Sequence, residues 1–375
     1  MTNNNQRVIV AMSGGVDSSV AAALLVEQGY DVVAMTMRVA SGEGREHSDK
    51  ACCTLDAAHD AKRVADKLGI PHYTINYLER FEREVIYDFT SEYLAGRTPN
   101  PCSRCNQRVK FGALYEKAIA IGADYIATGH YVRRTERDGR VALRRGVDSH
   151  KDQSYTLAGL AQDQLRRALF PVGELTKAET REYAQRLELV TWDKPESQEI
   201  CFVPNDNYRD FLMDRVGVPE KGPIMSTSGE IMGEHNGLIY YTVGQRRGLG
   251  IAAPEPLYVL RLDMARNTLI VGPREETFCA GMQVGELSWS GLDAQSEPFD
   301  CTVQIRAHHA PVPCTVTPVK HGVDVAFHDP VEGVSPGQWG VFYDGDTVLA
   351  GGIIDEYALV NEMPSDASSS THVKS

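Results

Sequence analysis

No run of apolar residues in this sequence approaches the about 18 that a membrane-crossing helix needs. The one apolar stretch near the start, Val8–Met12, soon meets Asp17 and has no secretory pattern around it. Positive charge is also short: 38 Lys and Arg face 51 Asp and Glu, a formal net charge of −13. That balance argues against a wholesale electrostatic grip on nucleic acid or anionic lipid and leaves room for a local basic face. Cysteine is too sparse for a secreted disulfide framework, with 8 in 375 residues, four of them in the pairs Cys52/Cys53 and Cys102/Cys105. No internal repeat is present. The expectation is a cytoplasmic protein that meets no membrane. What is there is ordinary: 42% apolar and 24% charged residues, enough for a real core, in a chain long enough for two or three domains.

Up to residue 205, short apolar runs alternate with helical patterns. Strands are expected at Val8–Met12, Asp31–Val39, His72–Leu78 and Tyr125–Thr128, and helices at Val16–Gly29, Leu55–Gly69, Glu79–Ala95 and Gln107–Gly122. That alternation predicts a parallel sheet with helices on both faces, and such sheets bind ligands beyond the carboxyl ends of their strands. Asn207–Val216 reads as one more helix, after which Gly, Pro and Thr dominate. From Leu257 onward come short strands: Tyr258–Leu262, Thr268–Val271, Cys301–Ile305, Cys314–Pro318, Val323–His328, Trp339–Tyr343 and Val348–Ile354. Asp344-Gly345 is a hairpin signal, and the spacing suggests a small β-barrel. The expected class is α/β: a parallel-sheet domain over 1–205, a small central α+β domain over 206–275, a β-barrel over 276–360 and a disordered, Ser-rich tail over 361–375.

Ser13-Gly14-Gly15-Val16-Asp17-Ser18-Ser19 falls between the first strand and the first helix. Two glycines let the backbone turn and approach a ligand, and the amides of a helix start favour an anion. It is not a Walker A loop, because no lysine falls inside it, nor the spaced-glycine fingerprint of dinucleotide folds. A Gly-Ser turn that merely caps a helix is the plain alternative. The string resembles the signature of the PP-loop ATP pyrophosphatases, which cleave ATP between the α and β phosphates. The resemblance implies ATP as cosubstrate and Mg²⁺ bridging its phosphates, with an Asp in the loop suited to that ion.

Asn100-Pro101-Cys102-Ser103-Arg104-Cys105-Asn106 lies in a turn-rich segment before a helix, and Cys201 follows Ser197-Gln198-Glu199-Ile200. A cysteine at a helix start beside Arg104 and Arg108 is expected to carry more thiolate, the form that attacks carbon or accepts a sulfane sulfur. Taken alone, Cys-x-x-Cys reads equally as a zinc or iron–sulfur half-site, although only Cys201 offers itself as a third ligand, which makes a closed structural zinc unattractive.

With Ala127-Thr128-Gly129-His130-Tyr131, Lys151-Asp152-Gln153-Ser154-Tyr155, Thr242–Gly250 and Ser335–Tyr343 in this order, the chain resembles the tRNA 2-thiouridylases of the MnmA (TrmU) family from about Arg7 to Tyr357. That resemblance implies a tRNA-uridine 2-sulfurtransferase. Ala11, Met12, Ser13, Gly14, Gly15, Val16, Asp17, Ser18, Met37 and Gly129 would bind ATP, with the phosphates on the loop and the adenine against the second strand. Cys201 would carry a persulfide sulfur, and Cys105 would resolve it, leaving a Cys105–Cys201 disulfide. The substrate would be the wobble uridine of the anticodon arm in tRNAs for Lys, Glu and Gln, and the sulfur would come from a cysteine desulfurase or a carrier protein. His130, Lys151, Asp152, Gln153, Arg306 and Gln338 match family positions that approach tRNA. Cys102 stands where some relatives have an Asp that is a candidate acid or base, so its auxiliary role is open. Cys102, Cys105 and Cys201 are also three thiolates that a [4Fe–4S] cluster with one open iron would take. Cluster and persulfide chemistry both stay open, with the persulfide favoured. So does the alternative of another PP-loop ATP pyrophosphatase acting on a different tRNA base; a non-catalytic metal- or RNA-binding protein is a further rival.

Between Arg133 and Lys151, seven basic residues face three acidic ones. Such a run is ordinarily a solvated hairpin, but beside an ATP site it is expected to contact RNA. Gln245, Arg246 and Arg247, in a Gly-rich run, are expected to approach the RNA backbone. Cys279, Cys301 and Cys314 read as small apolar strand residues, Cys52 and Cys53 as helix packing, and His59 and His72 as surface or core histidines.

Overall fold

A computed structural model describes residues 6–39, 55–137, 139–195 and 200–362. Cys52, Cys53, Ser197–Glu199 and most of the expected tail (363–375) lie outside the described residues. The first sheet is parallel, with strands β1 (Arg7–Ala11), β2 (Asp31–Arg38), β3 (His72–Asn76), β4 (Tyr125–Ala127) and β7 (Ala168–Leu169) in the order β3-β2-β1-β4-β7. Val8, Ile9 and Val10 are fully buried because β1 is central and covered on both faces, which explains its unbroken apolar run. The chain leaves β1 to one side for β2 and later returns on the other side as β4. The carboxyl end of β1 is therefore the switch point where such sheets bind ligands.

The helix Val16–Glu27 follows β1 directly. Leu55–Leu68 turns Ala57, Ala61, Val64 and Ala65 to the core, one face of a helix. The expected helix after β3 runs over 78–94, with a π-helical stretch at Glu82–Ile86. The next begins earlier than expected, at Pro101, because Asn100 caps it: the Asn100 side chain accepts a hydrogen bond from the Ser103 backbone N–H at 3.1 Å.

Tyr258–Leu262 and Thr268–Val271 do not enter the barrel. They form β10 (Tyr258–Asp263) and β11 (Thr268–Gly272), which join β8 (Gly222–Ser226) and β9 (Ile231–His235) in a separate mixed sheet of order β10-β11-β8-β9. The barrel is antiparallel and closed: β12 (Phe278–Ser288), β15 (Gly322–Glu332), β14 (Val312–Val319), β13 (Phe299–Gln304), β16 (Trp339–Asp344) and β17 (Thr347–Leu359), with β17 pairing back to β12. Strand β12 was not among the sequence expectations. Gly281 and Gly285 break its alternation, and they lie where a side chain would strike Val325 O at 2.4 Å and the Asp355 carboxylate at 2.3 Å. Cys279 and Cys314 are buried and Cys301 packs against the same barrel core, as expected for small apolar residues.

The arginine-rich run forms a hairpin, β5 (Val132–Arg137) with β6 (Arg140–Arg145), that extends the barrel sheet through the pair Arg144–Thr347. Four of its arginines make contacts at or near this junction. Arg133 and Arg144 both reach Asp346, Arg145 reaches Asp152 and Gln304 and lies 3.9 Å over the Tyr343 ring, and Arg140 reaches Asp293. The carboxylate partner of Arg133 lies 213 residues away in the chain.

Candidate functional site

The segment Ser13–Ser19 curls at the end of β1. Gly14 has φ +70°, and a Cβ there would lie 2.1 Å from Ala57 O, so only glycine fits. Ser18 and Ser19 donate to Gly15 O at 3.1 and 2.9 Å, closing the first turn of the helix. After β4 the chain returns so closely that a Cβ on Gly129 would sit 2.5 Å from the Ser18 nitrogen. Met37 is buried near the end of β2, and Thr36 donates to Met12 O at 3.0 Å, fixing β2 against the loop. Ala11 to Ser18, Met37 and Gly129 thus all lie at or beside one strand edge.

Two lysines that the sequence reading missed also reach this loop. Lys177 Nζ sits 2.7 and 2.9 Å from the two Asp17 carboxylate oxygens, with its side chain only 12% exposed. Tyr131 donates to the same carboxylate at 2.7 Å. Lys194 donates to Gly14 O at 3.0 Å and pairs with Asp60 at 2.8 Å. A signal for Lys177 exists in the sequence. Thr176 and Glu179 form a capping box, which makes Lys177 the first residue of the helix Lys177–Arg186. That helix follows β7, so its start shares the strand edge of the loop.

The cysteine segment is built on the first turn of the helix after Asn100. Cys102 is exposed, while Cys105 and Cys201 are half-buried and pack against one core together with Ala11. The helix turns π-helical from Cys105 to Ala113; such stretches recur at functional sites. The arginines expected to favour a thiolate are themselves compensated. Arg104, 4% exposed, reaches Asp88 and takes both oxygens of Glu286, and Arg108 reaches Asp88 at 3.3 Å and Glu84 and Glu286 at 3.9 Å. Two guanidiniums thus face three carboxylates. Among the described residues no three His, Cys, Asp or Glu side chains gather as a metal ligand set.

Family models match three successive stretches of the chain: a tRNA methyl transferase HUP domain over residues 6–205, a tRNA methyl transferase PRC-barrel domain over 209–273 and an aminomethyltransferase beta-barrel domain over 279–354. The chain is 49% identical to the tRNA-specific 2-thiouridylase MnmA of Carboxydothermus hydrogenoformans, over 94% of this chain and 98% of that protein. It is 50% identical to the MnmA of Geobacter metallireducens, over 93% and 97% respectively. The chain belongs to the MnmA family. The loop at β1 is therefore the PP-loop of an MnmA protein, in a parallel-sheet domain followed by a PRC-barrel domain and a closed β-barrel.

The remaining candidate positions of this MnmA chain lie mostly at junctions. His130 is 8% exposed and pairs with Thr128 at 2.6 Å; burial, with the Lys110 charge behind it, holds its pKa well below 6.5. Asp152 accepts from Arg145, Ser154 and the Gly146 N–H, and Gln153 accepts from the Tyr131 N–H. The Lys151 backbone N–H closes a turn on Asp148 O. Tyr155, next in the same motif, exchanges hydrogen bonds with the Trp339 backbone of the barrel. Arg306 crosses from the barrel to Val243 O at 3.1 Å, and burial lowers its pKa. Gln338 donates to Thr98 O at 2.8 Å, two residues before the cysteine helix cap. Gln245 donates to Arg247 O at 2.8 Å, and Arg246 lines an open cleft of about 410 Å³ with Gly248–Ile251. No helix of the described residues is long and apolar enough to cross a membrane.

Proposed function

We propose that this chain carries out ATP-dependent 2-thiolation of the wobble uridine in tRNAs for Lys, Glu and Gln, in the cytoplasm. The observation that carries the reading is the packing of Ala11, Cys105 and Cys201 against one core, which puts the phosphate loop's edge and two thiols on the same body of the protein. Kinship to MnmA proteins supplies the substrate class.

The chemistry demands both parts. The C2 carbonyl of uracil has no leaving group, so sulfur cannot simply displace its oxygen. Attack of O2 on the α-phosphate of ATP releases pyrophosphate and turns O2 into part of an AMP leaving group. Asp17, paired with Lys177 in this structure, is the loop carboxylate that would hold Mg²⁺ once Lys177 turns to the phosphates, and the ion would supply charge there. Lys177 and Lys194 would then face the departing pyrophosphate, where a fixed cation stabilises developing charge. The terminal sulfur of a Cys201 persulfide attacks C2 and AMP departs. Cys105 thiolate next attacks the Cys201 sulfur; the sulfur–sulfur bond breaks and its electrons stay on the atom bound to C2. The products are 2-thiouridine and a Cys105–Cys201 disulfide, which an external thiol must reduce before the next turnover. A cysteine desulfurase or carrier protein recharges Cys201.

For tRNA contact we infer that Lys151, Arg306 and the Arg246–Arg247 loop supply charge. Asp152, Gln153 and Gln338, held by internal hydrogen bonds, and the buried His130 brace the segments that carry those charges.

The test is nucleoside mass spectrometry of unmodified tRNA-Glu incubated with the protein, ATP, Mg²⁺ and a cysteine desulfurase with cysteine. Wobble 2-thiouridine that depends on ATP is expected, lost in Cys201→Ser and Cys105→Ser while both variants still release pyrophosphate. Turnover that survives Cys201→Ser would point to a PP-loop enzyme with another target.

A further inference from the structure

Glu286 is one of four non-glycine residues with positive φ, at 46°, among the described residues. It lies in β12 inside the break of register with β17 between Gly285 and Ser288. A non-glycine side chain in the left-handed region is held there only when its surroundings over-determine it, and such outliers gather at functional sites. Here the kink aims a barrel carboxylate at another domain. Oε2 and Oε1 accept from Arg104 Nη1 and Nη2 at 2.7 and 3.2 Å, a two-pronged pair, while the Glu286 side chain remains 58% exposed. Hydrogen bonds from Arg104 hold the Glu286 carboxyl below its ordinary value. Arg104 immediately precedes Cys105.

Neighbouring contacts run the same way. Thr98 N–H donates to Pro336 O at 2.8 Å, Gln338 donates to Thr98 O, and Arg97 reaches Asp355 at 3.1 Å. The barrel therefore grips the cysteine segment from 97 to 104 on one side, and Glu286 is its grip on the helix itself.

We propose that Glu286 is a positioning residue for sulfur transfer: through Arg104 it fixes the first turn of the cysteine helix so that Cys105 meets the persulfide on Cys201. This rests on the reading of Cys105 as the resolving thiol. A paired fork fixes direction as well as distance, and small misplacement of a reacting group is costly in rate. The adenylation step, on the PP-loop, does not pass through this contact.

The experiment compares Glu286→Gln and Glu286→Gly with the full-length wild-type chain. Cys201 is charged by a cysteine desulfurase with cysteine, and a single turnover follows with unmodified tRNA-Glu, ATP and Mg²⁺. Pyrophosphate and 2-thiouridine are followed separately, with the thermal midpoint beside them. Both variants are expected to release pyrophosphate at the wild-type rate and to form 2-thiouridine about tenfold more slowly. Gly accepts the left-handed backbone, so its defect assigns the effect to the carboxylate. Wild-type 2-thiouridine formation in either variant overturns the proposal. So does an equal loss of both steps in step with a falling midpoint, which marks a mere brace. Cys105→Ser runs in parallel: wild-type thiolation there defeats the Cys105 reading itself, separately from Glu286.

Discussion

Lys177 Nζ rests 2.7 Å from the carboxylate of Asp17, a residue 160 positions earlier in the chain. The pair joins the first turn of one helix to the first turn of another across the end of the sheet. An ammonium at this position is held where phosphate charge would arrive, and its partner is the loop residue suited to Mg²⁺. Lys177→Met is expected to slow ATP-dependent pyrophosphate release about 100-fold while tRNA affinity stays within about twofold. A pyrophosphate assay with a filter-binding control checks both halves, and wild-type release would remove Lys177 from the reaction.

Gly129 touches the same turn from the other side. Gly129→Ala drives a methyl into the Ser18 nitrogen. It is expected to cost roughly 1–3 kcal/mol of stability and to weaken ATP binding, since overpacking is relieved only by moving backbone. Calorimetric titration with a non-hydrolysable ATP analogue measures the binding, and denaturant unfolding measures the stability.

Cys102 separates the two sulfur chemistries. It is exposed, and the three cysteines gather no ligand set. Cys102→Ser is expected to keep 2-thiouridine formation within about threefold of wild type, because the relay needs only two thiols. Complete loss, with bound iron and its visible absorbance in the wild type, would favour a cluster.

Acid should weaken the fold through His130, whose pKa burial holds well below 6.5. Below about pH 6.5 the unfolded chain binds a proton at this residue that the folded chain refuses, so stability is full above that pH and falls as pH descends. His72 is lowered too, chiefly by burial, and adds to the trend. Between pH 7.5 and 5 the thermal midpoint of the wild type is expected to fall, and His130→Gln to fall less. An equal slope in the variant would assign the loss elsewhere.

Asp346 bridges Arg133 and Arg144 where the hairpin meets the barrel. Asp346→Asn is expected to lower stability by about 1 kcal/mol, in the range of half-exposed ion pairs, and to leave tRNA affinity within about twofold. If the arginines instead served RNA, removing their carboxylate partner would tighten tRNA binding, most visibly at low salt.

The phosphate loop was legible because everything it needs is local. A central apolar strand, two glycines and a helix start follow one another along the chain, and one of those glycines adopts φ +70°. The Asp344-Gly345 turn and the alternating barrel strands are local in the same sense. Strand β12 was hidden because its glycines erase the alternation, and they do so to let backbones approach.

By itself the sequence determined the strands and helices of the first sheet, most of the barrel strands, where a Gly-Ser turn falls before a helix and which thiols stand near a helix start. Those depend on neighbours within a few residues, where propensity, capping and turn chemistry act. Only the tertiary structure decided that Lys177 and Lys194 complete the loop, that the arginine hairpin joins a barrel, and that Glu286 bends out of its strand to hold Arg104. Charge pairing acts over a few ångströms of space, and the packing that brings such partners together is set by the burial of whole sheets and helices.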